Sequence, residues 1–498
     1  MAISSGEADL LIIGGGINGA GIARDAAGRG LAVTLVEQGD LASATSSYSS
    51  KLIHGGLRYL EQYDFRLVRE ALQEREVMLR IAPHIIRPLL FVLPYDASMR
   101  PVWMIRTGLW IYDHLGGPIT LPRSKAVDFP HMEFSAGFKP DIRKGFVYSD
   151  CRVDDSRLTI LNCVSAREKG AAVHTRTRFE GARRVNGVWE AVLRPEGGEP
   201  RTVRARGLVN AAGPWVADVL RGIQGEHIKD RVRLVKGSHI IVPKVHSQGH
   251  AWILQNTDKR VVFVIPYMND FSLIGTTDVA VDNVEQARRI TPEETEYLVA
   301  AVNRFLAKPI SAAQVVSSYA GVRPLHDDGS ANPSEVTRDY TLKLDVDNGR
   351  APLLTVFGGK ITTYRRLAEE ALSHLVPFYK AATGPWTGSE ALPGGDVGHF
   401  NGFRDAMHAQ YPELGRDLVE AVVRRHGSRT PAILRDARYP EMLGRNFGAG
   451  LTEREIDYFV SEEWARTAED VLWRRTKCGL RMTEPQREAV DAFMRQGR

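Results

Sequence analysis

The stretch that decides the fold lies near the N-terminus and reads Asp9-Leu-Leu-Ile-Ile-Gly14-Gly-Gly16-Ile-Asn-Gly19-Ala-Gly21. Its continuous apolar run predicts a parallel strand that is buried on both faces. The glycines of the Gly14-x-Gly16-x-x-Gly19 pattern predict a tight turn, a close approach of the backbone to a phosphate, and close packing of the next helix on the strand. A second strand is predicted from Leu31 to Glu37, so the chain opens with a β-α-β unit.

Glu37 stands at the end of that second strand, 37 − 19 = 18 residues after Gly19. A carboxylate at this place binds the ribose hydroxyls of a dinucleotide and would repel a 2′-phosphate. The pattern therefore predicts a dinucleotide cofactor. The alternative is a tight turn in an unrelated α/β fold, which the strand, turn and helix order disfavours.

Further segments suited to the cofactor are widely separated along the chain: the Ser/Thr-rich loop from Ala42 to Lys51, the turn from Asn210 to Gly213, and Phe357-Gly-Gly-Lys360. An NAD enzyme usually completes its sheet soon after the first unit. An extended FAD that threads a discontinuous domain explains the dispersal better, and a helix after Gly359 would aim its positive end at the flavin pyrimidine. We predict FAD, held non-covalently because no His or Cys lies in an obvious flavin-linking motif. The predicted cofactor contacts are Gly14, Gly16, Asn18, Gly19, Glu37, Thr45, Ser46, Ser47, Ser50, Lys51, His54, Gly55, Ala212, Gly213, Trp215, Gly359, Lys360 and Thr362.

The composition excludes several classes of protein. Of 498 residues, 43% are hydrophobic and 25% charged, which excludes a disordered or fibrous chain. The three cysteines form no CxxC pair, so we expect no disulfide scaffold and no metal site. No apolar run is long enough to cross a bilayer. The net charge of +5 suits an anionic substrate or an anionic membrane surface, and without a concentrated basic stripe we expect no nucleic acid partner.

Three folding units are predicted in a mixed α/β chain. A discontinuous, Rossmann-like FAD-binding domain takes residues 1–90, 146–222 and 350–385. Strong alternation between residues 232 and 280 predicts an antiparallel sheet, which places a substrate domain at 91–145 and 223–349. After a linker rich in glycine and proline, residues 386–498 are expected to form an all-helical domain. A homodimer is a possible assembly.

Long motifs extend over essentially the whole chain: Gly14-Gly-Gly-Ile-Asn-Gly-Ala-Gly21, Ser49-Ser-Lys-Leu-Ile-His54-Gly-Gly-Leu-Arg58-Tyr59-Leu-Glu61, Val209-Asn-Ala-Ala-Gly-Pro-Trp215, Lys236-Gly-Ser-His239, Gly321-Val-Arg323-Pro324, Thr337-Arg338-Asp339-Tyr340, Phe357-Gly-Gly-Lys360 and Val471-Leu-Trp-Arg-Arg-Thr476. Together they resemble the FAD-dependent (aerobic) glycerol-3-phosphate dehydrogenases. One departure is Ala211-Ala212, where that family commonly has Ala-Thr, and it should cost at most one hydrogen bond to the flavin.

The resemblance implies oxidation of sn-glycerol 3-phosphate to dihydroxyacetone phosphate, with electrons passed to a membrane quinone. It also implies a cytoplasmic enzyme bound peripherally to the inner face of the cell membrane. The substrate phosphate needs cations, and Arg binds phosphate through paired hydrogen bonds. Within the family motifs the candidate substrate residues are Arg58, Tyr59, His239, Arg323, Arg338 and Lys360.

His239 is the first candidate for the general base, because a histidine with a pKa near 6.5 can accept the proton of the C2 hydroxyl. A buried histidine bonded only to backbone is the structural alternative. His54 is the second candidate, although its segment is expected to contact the cofactor. His239, Arg323 and Lys360 form the predicted catalytic set.

Other functions stay open from sequence. An oxidase of the same fold would pass its electrons to oxygen and release peroxide, and an amine or amino-acid oxidase would need fewer phosphate-suited cations. From a different class, a non-catalytic FAD-containing protein could bind RNA or a protein partner. The segment from Met99 to Tyr112, rich in Trp and Arg, is expected either to enter a membrane interface or to be a buried helix.

Overall fold

The N-terminal apolar run forms a central strand of a large sheet in the computed structural model, which describes residues 7–96, 99–129, 133–228, 232–258, 260–327, 339–380 and 382–496. Leu10 and Ile12 are completely buried, as the unbroken apolar pattern predicts for a strand covered on both faces.

The strands of the described residues, in chain order, are β1 (Ala8–Ile13), β2 (Val33–Val36), β3 (Leu52–Ile53), β4 (Ile86–Pro94), β5 (Lys125–Asp128), β6 (Lys144–Val153), β7 (Ala172–His174), β8 (Thr177–Val185), β9 (Val188–Pro195), β10 (Arg201–Asn210), β11 (Val232–Pro243), β12 (Ala251–Gln255), β13 (Val261–Tyr267), β14 (Phe271–Gly275), β15 (Val279–Val281), β16 (Ser317–His326), β17 (Thr341–Asp347), β18 (Arg350–Phe357), β19 (Asn446–Gly448) and β20 (Leu451–Thr452).

The α-helices of the same residues are α1 (Ile17–Gly28), α2 (Phe65–Ile81), α3 (Val102–Leu115), α4 (Asp155–Glu168), α5 (Val216–Arg221), α6 (Pro292–Asn303), α7 (Tyr364–Leu375), α8 (Phe400–Gln410), α9 (Arg416–His426), α10 (Thr430–Leu434), α11 (Glu453–Glu463) and α12 (Glu484–Arg495).

The first sheet has the strand order β17-β18-β10-β1-β2-β7, and the β8–β9 hairpin joins it through β10. Strand β1 pairs in parallel with β10 and β2, and β10 pairs in parallel with β18. Ile13 stands opposite both Asn210 and Val36, and Asn210 stands opposite Thr355. Four segments therefore leave the sheet at the same carboxyl edge, which is where ligands bind in open α/β sheets.

The second sheet has the order β15-β11-β14-β13-β12-β4-β6-β3, with β16 paired to β11 and β5 to β6. The antiparallel pairing predicted between residues 232 and 280 is confirmed by β11, β12, β13 and β14. In the β11–β16 pair, His239 stands opposite Tyr319 and Val235 opposite Arg323. Because residues two apart share one face of a strand, His239 and Arg323 lie on the same face of this sheet.

Sheet membership divides the chain differently from the predicted domain boundaries. Strands β3, β4 and β6 pair in the second sheet, although the prediction gave residues 52–53, 86–90 and 146–153 to the FAD-binding unit. Strand β17 pairs in the first sheet, although it was placed in the substrate unit. Apolar alternation predicts that a strand exists but does not say which sheet it joins.

The last hundred residues are mainly helical, from α8 to α12, with one short β19–β20 pair in addition. Buried ion pairs join this domain to the loop after β2 and to α4. Asp40 pairs with both Arg474 and Arg475, and Arg157 of α4 pairs with Glu463. The predicted fold class is confirmed: a Rossmann-like domain, an antiparallel-sheet domain and a C-terminal helical domain. No helix within the described ranges is long and apolar enough to cross a membrane.

Candidate active site

A cavity of about 980 Å³ follows the carboxyl edge of the first sheet. It is lined by turns that come from distant parts of the sequence, as the dispersed glycine segments predict. Ten of the predicted cofactor residues line it: Gly14, Gly16, Asn18, Glu37, Thr45, Ser46, Ala212, Gly213, Trp215 and Gly359.

The three glycines of the opening pattern have different structural roles. Gly14 has a φ of +113°, and a Cβ atom there would lie 2.5 Å from the carbonyl oxygen of Ala211. A Cβ atom on Gly19 would lie 2.0 Å from the carbonyl oxygen of Gly14, so this glycine is required for the helix to pack on the turn. A Cβ atom on Gly16 would meet only the Oγ atom of Ser46, at 3.3 Å. The absence of a side chain at Gly16 therefore leaves space in the cavity, and the packing of the fold does not require it.

The Glu37 carboxylate organises the turns around the cavity. Its Oε2 atom accepts a hydrogen bond from the backbone N–H of Gly15 at 2.7 Å, and its Oε1 atom accepts one from Gly39 at 2.7 Å. Burial raises the pKa of this carboxyl above its usual value, and the two backbone N–H groups oppose that shift. A carboxylate has about four acceptor positions, so capacity for the predicted contact with ribose hydroxyls remains.

A second, smaller cavity of about 270 Å³ adjoins the first. The two share Ile17, Thr45, Ser46, Pro324, Gly358 and Gly359, so they form one continuous space. The smaller cavity is lined by most of the predicted substrate residues together with some further flavin-side candidates, namely Ser50, His54, Arg58, Tyr59, His239, Arg323, Lys360 and Thr362.

His239 lies in this smaller cavity and is 2% exposed. Its Nε2 atom is 2.9 Å from the Oγ atom of Ser50, and its ring stacks on Tyr319 with the centroids 4.8 Å apart. Its Nδ1 atom has no hydrogen-bond partner in the described part of the chain. Burial, then Arg323 and Lys51, lower the pKa of His239 well below its usual value. The imidazole is therefore neutral near pH 7, which leaves one of its ring nitrogens unprotonated.

His54, the second candidate for the base, also lines the cavity. Its backbone N–H donates to the Oγ1 atom of Thr362 at 3.3 Å, which joins the loop of β3 to the turn before α7. The ring of His54 lies 6.5 Å from the ring of Phe263.

Arg323 is held by two neighbours rather than projecting freely into the cavity. Its guanidinium lies 2.6 Å from the Oδ1 atom of Asp278 and donates to the Oγ1 atom of Thr276 at 3.1 Å. Both partners also line the cavity. The sequence analysis did not single them out, although Thr276-Thr-Asp278 directly follows β14, where binding loops often lie.

The other predicted cations are placed around the same space. The ammonium of Lys360 lies 3.7 Å from the centroid of the Tyr59 ring, a cation–π contact that fixes both side chains. Arg58 lines the cavity and is exposed. Arg338 lies outside the described residues, so its predicted role in substrate binding stays a prediction.

The structure places four predicted cofactor residues outside the lining of both cavities. Gly19 packs against the turn, and the Oγ atom of Ser47 donates to the carbonyl of Ala42 at 2.5 Å. The ammonium of Lys51 is buried against Asp155 at 2.9 Å. The backbone N–H of Gly55 donates to the hydroxyl of Tyr112 at 2.8 Å. These groups support the walls, and the motif pattern does not distinguish support from contact.

The joined cavities fit FAD. Their combined size suits a long dinucleotide, and the first is lined by backbone turns at the edge where such cofactors bind. The Oδ1 atom of Asn18 is buried with no partner among the described residues, while its amide nitrogen donates to the carbonyl of Gly358 at 3.1 Å. An unused acceptor at this position suits a ligand that donates hydrogen bonds. No group of three metal-binding side chains occurs within the ranges that the structure describes.

Comparison with known protein families agrees with this site. The family described as FAD dependent oxidoreductase matches residues 9–365, and the C-terminal domain of alpha-glycerophosphate oxidase matches residues 386–496. The chain belongs to the FAD dependent oxidoreductase family, and FAD is its cofactor.

Individual relatives within this family are dehydrogenases of polyol phosphates and include glycerol-3-phosphate dehydrogenases. A glycerol-3-phosphate dehydrogenase of Pseudomonas aeruginosa is 51% identical over 98% of this chain and 94% of its own. A D-erythritol 1-phosphate dehydrogenase of Brucella abortus is 51% identical over 97% of this chain and 96% of its own. The crystal structure of a glycerol-3-phosphate dehydrogenase from Bacillus halodurans complexed with FAD has a TM-score of 0.74 at 26% identity, covering 99% of this chain and 94% of that one. The predicted resemblance to the FAD-dependent glycerol-3-phosphate dehydrogenases is thereby confirmed.

Proposed function

We propose that the protein oxidises sn-glycerol 3-phosphate to dihydroxyacetone phosphate and delivers the electrons to a membrane quinone. The observation that carries this proposal is the smaller cavity, where Arg58, Arg323 and Lys360 line the same space as His239 beside the cofactor space. Asp278 is the single carboxylate among its described lining residues, so positive charge is in excess. Such a site favours a dianionic phosphate and disfavours an amino acid, which carries its own ammonium group.

Arg323 and Lys360 are the proposed phosphate-binding pair, with Arg58 at the exposed side and Arg338 as a further candidate. Asp278 and Thr276 hold the Arg323 guanidinium in place before substrate arrives. A preorganised guanidinium loses less conformational entropy when it binds phosphate. The Tyr59 ring positions the Lys360 ammonium in the same way.

His239 is the proposed acceptor of the C2 hydroxyl proton. FAD, when bound, supplies the acceptor for the hydride that leaves C2, and the C2–O bond becomes a carbonyl. Because burial keeps the His239 ring neutral, the ring is in the protonation state that a base requires. The Oγ atom of Ser50 fixes the ring through Nε2.

D-erythritol 1-phosphate is a second candidate substrate, because the Brucella abortus relative is as similar as the glycerol-3-phosphate dehydrogenase of Pseudomonas aeruginosa. Both substrates present a phosphate and a secondary alcohol, so the same cations and the same base would serve either one. The four-carbon substrate adds one hydroxymethylene group, which the end of the smaller cavity must accommodate.

Helix α3 is the proposed membrane contact on the cytoplasmic face of the cell membrane. One face packs into the protein through Leu109 and Tyr112, while Trp103 is 65% exposed and Trp110 is 62% exposed. Exposed Trp side chains together with the exposed Arg106 suit an interface with anionic lipid. The turn Leu57–Gln62, which carries Arg58 and Tyr59, contacts this helix, so the active site lies near the proposed lipid surface. The homodimer stays a prediction.

Anaerobic mixing of the FAD-loaded enzyme with a panel of substrates tests the proposal. Glycerol 3-phosphate should bleach the flavin absorbance fastest, D-erythritol 1-phosphate more slowly, and glycine or proline not at all. Faster bleaching by D-erythritol 1-phosphate would reassign the substrate. For the acceptor, a soluble quinone should reoxidise the enzyme faster than air-saturated buffer does, and stoichiometric peroxide with no response to quinone would identify an oxidase instead.

A further inference from the structure

A separate cavity of about 540 Å³ lies where the second sheet meets the C-terminal helical domain. It shares no lining residue with the two cavities of the active site. Asp417 and Arg481 at its rim are exposed, so the space is open to solvent. Its volume is within the range of small-molecule sites.

Two arginines in the wall of this cavity face each other across paired strands. Arg87 of β4 stands directly opposite Arg152 of β6, and both line the cavity. Residues directly opposite in an antiparallel pair lie on the same face, and like charges there repel. The Nε atoms of both side chains are buried without a hydrogen-bond partner, and neither guanidinium forms an ion pair with any described residue.

The remaining cations of the wall already have partners. Lys51 pairs with Asp155, Lys477 with Asp154, Arg424 with Glu420, Arg425 with Glu455, and Arg481 with Asp270. The nearby carboxylates of Asp154 and Glu420 are therefore each bound to another cation. Arg87 and Arg152 remain as two half-buried positive charges that form no salt bridge with the described residues.

The charges of this wall also affect one another. Burial, then Arg152 and Arg424, lower the pKa of Arg87, and the carboxylates of Glu420 and Asp154 only partly oppose that shift. Burial, then Arg424, lower the pKa of Arg152. A shift in this direction means that the surroundings disfavour the charged form, although arginine stays protonated in proteins. An anion between the two guanidinium groups would offset the repulsion between their positive charges.

We propose that this cavity is a second anion site, which binds a small phosphorylated ligand between Arg87 and Arg152. Paired guanidinium groups match the oxygen geometry of a phosphate, and the cavity has room for organic substituents beyond the phosphate itself. The ligand can be a free phosphomonoester or the phosphodiester of a lipid head group, since both present the same oxyanion.

Isothermal titration of the full-length, FAD-loaded enzyme with inorganic phosphate tests the site. Wild type should bind one more phosphate per chain than the double variant Arg87→Gln/Arg152→Gln, which keeps planar hydrogen-bonding ends. Arg323→Ala should lose phosphate at the active site but keep phosphate at this one. Arg183→Gln/Arg194→Gln, an equal loss of charge on exposed side chains of β8 and β9, is the control and should bind as wild type does. Equal phosphate stoichiometry in wild type and in the Arg87/Arg152 variant would overturn the proposal.

Thermal unfolding separates binding from a purely structural role. In phosphate-free buffer the double variant should melt at or above the wild-type temperature, because the repulsion between the two guanidinium groups is gone. Added phosphate should raise the melting temperature of wild type more than that of the variant. A variant that melts lower but responds fully to phosphate would contradict the proposal. Repeating the titration with monomeric short-chain phosphatidylglycerol identifies the source, since a lipid site binds the diester and a metabolite site prefers inorganic phosphate.

Discussion

The Oγ atom of Ser50 lies 2.9 Å from the Nε2 atom of His239, and this contact joins the Ser/Thr-rich loop of the flavin domain to the second sheet. The two residues are 189 positions apart in sequence. Gly275 packs directly against the His239 ring, because a Cβ atom on Gly275 would lie 2.1 Å from the Cδ2 atom of His239. The ring is therefore held in one orientation, with Nε2 fixed by a hydroxyl and its plane stacked on Tyr319.

Replacing His239 should impair proton removal for every substrate. We expect His239→Ala to slow flavin reduction by both glycerol 3-phosphate and glycerol, roughly a hundred-fold or more, and higher pH to rescue part of the rate. Ser50→Ala should slow reduction less, since it only frees the ring. Stopped-flow absorbance under anaerobic conditions measures both. An unchanged rate in His239→Ala would move the base to His54.

Replacing Arg323 should affect the phosphorylated substrate selectively. Loss of its charged hydrogen bonds should cost about 1.5–3 kcal/mol of transition-state binding, roughly ten- to a hundred-fold in kcat/KM for glycerol 3-phosphate. The loss for glycerol should be small, because glycerol has no phosphate to bind. Arg233→Ala, which breaks an ion pair with Asp327 outside the smaller cavity, is the matched control. Equal proportional losses on both substrates would show that Arg323 is structural.

The glycines of the opening turn should separate cofactor binding from folding. Gly16→Val should give folded protein with almost no FAD, because the side chain would occupy the cofactor space while meeting only Ser46. Gly19→Ala should instead reduce stability, since its Cβ atom would overlap the carbonyl of Gly14. Glu37→Ala should weaken FAD binding by roughly 1.5–3 kcal/mol. The flavin-to-protein absorbance ratio and circular dichroism measure these effects, and a fully yellow Gly16→Val protein would refute the assignment.

Stability should fall on acidification because of buried neutral histidines such as His84. Burial, then Arg157 and His426, lower the pKa of His84 to about 3, whereas an exposed histidine titrates near 6.5. Below pH 6.5 the unfolded chain therefore binds a proton at His84, whereas the folded chain does not. The free energy of unfolding is therefore unaffected by this residue above pH 6.5 and decreases as the pH falls toward 3. At pH 5 the loss is about 2 kcal/mol for this residue.

The matched variant for that effect is His84→Gln, which removes the titrating ring and keeps a polar side chain. Its urea midpoint should fall less between pH 7 and pH 5 than the midpoint of wild type. His239 and His426, whose pKa values are also lowered by burial, should leave part of the slope in place. An identical pH dependence of the urea midpoint in the two proteins would mean that His84 binds its proton as readily in the folded state as in the unfolded chain.

Helix α3 should control attachment to lipid. Trp103→Ser/Trp110→Ser should weaken binding to vesicles containing phosphatidylglycerol by roughly ten-fold for each Trp, because less apolar surface enters the interface. High salt should weaken wild-type binding as well, since it screens the attraction of the basic side chains. Val316→Ser/Tyr439→Ser removes exposed apolar side chains elsewhere and serves as the control in vesicle sedimentation. Undiminished binding of the Trp variant would place the contact on another surface.

The sequence predicts the positions of those candidate residues that local chemistry determines. The strand, glycine turn and acidic residue of the first β-α-β unit are defined within thirty residues, and Gly16 and Glu37 lie where the pattern places them. His239 and Arg323 were predicted from motifs, and the register of β11 with β16 explains why they share a face.

The parts that were missed depend on long-range packing. Nothing local to Lys51 shows that its ammonium pairs with Asp155, 104 residues away, rather than facing the flavin. Asp278 becomes relevant only because β14 and β16 both flank β11, which brings its carboxylate to Arg323. The sheet to which β4 and β6 belong is likewise fixed by pairing partners and not by their apolar pattern.

The most direct measurement of the central claim is a single-turnover reaction of the anaerobic enzyme with sn-glycerol 3-phosphate that carries either hydrogen or deuterium at C2. Hydride transfer from C2 into the flavin predicts rapid bleaching of the flavin absorbance, formation of one dihydroxyacetone phosphate per flavin, and a slower rate with deuterium. Absence of bleaching at saturating substrate, or bleaching without dihydroxyacetone phosphate, would contradict the proposed function.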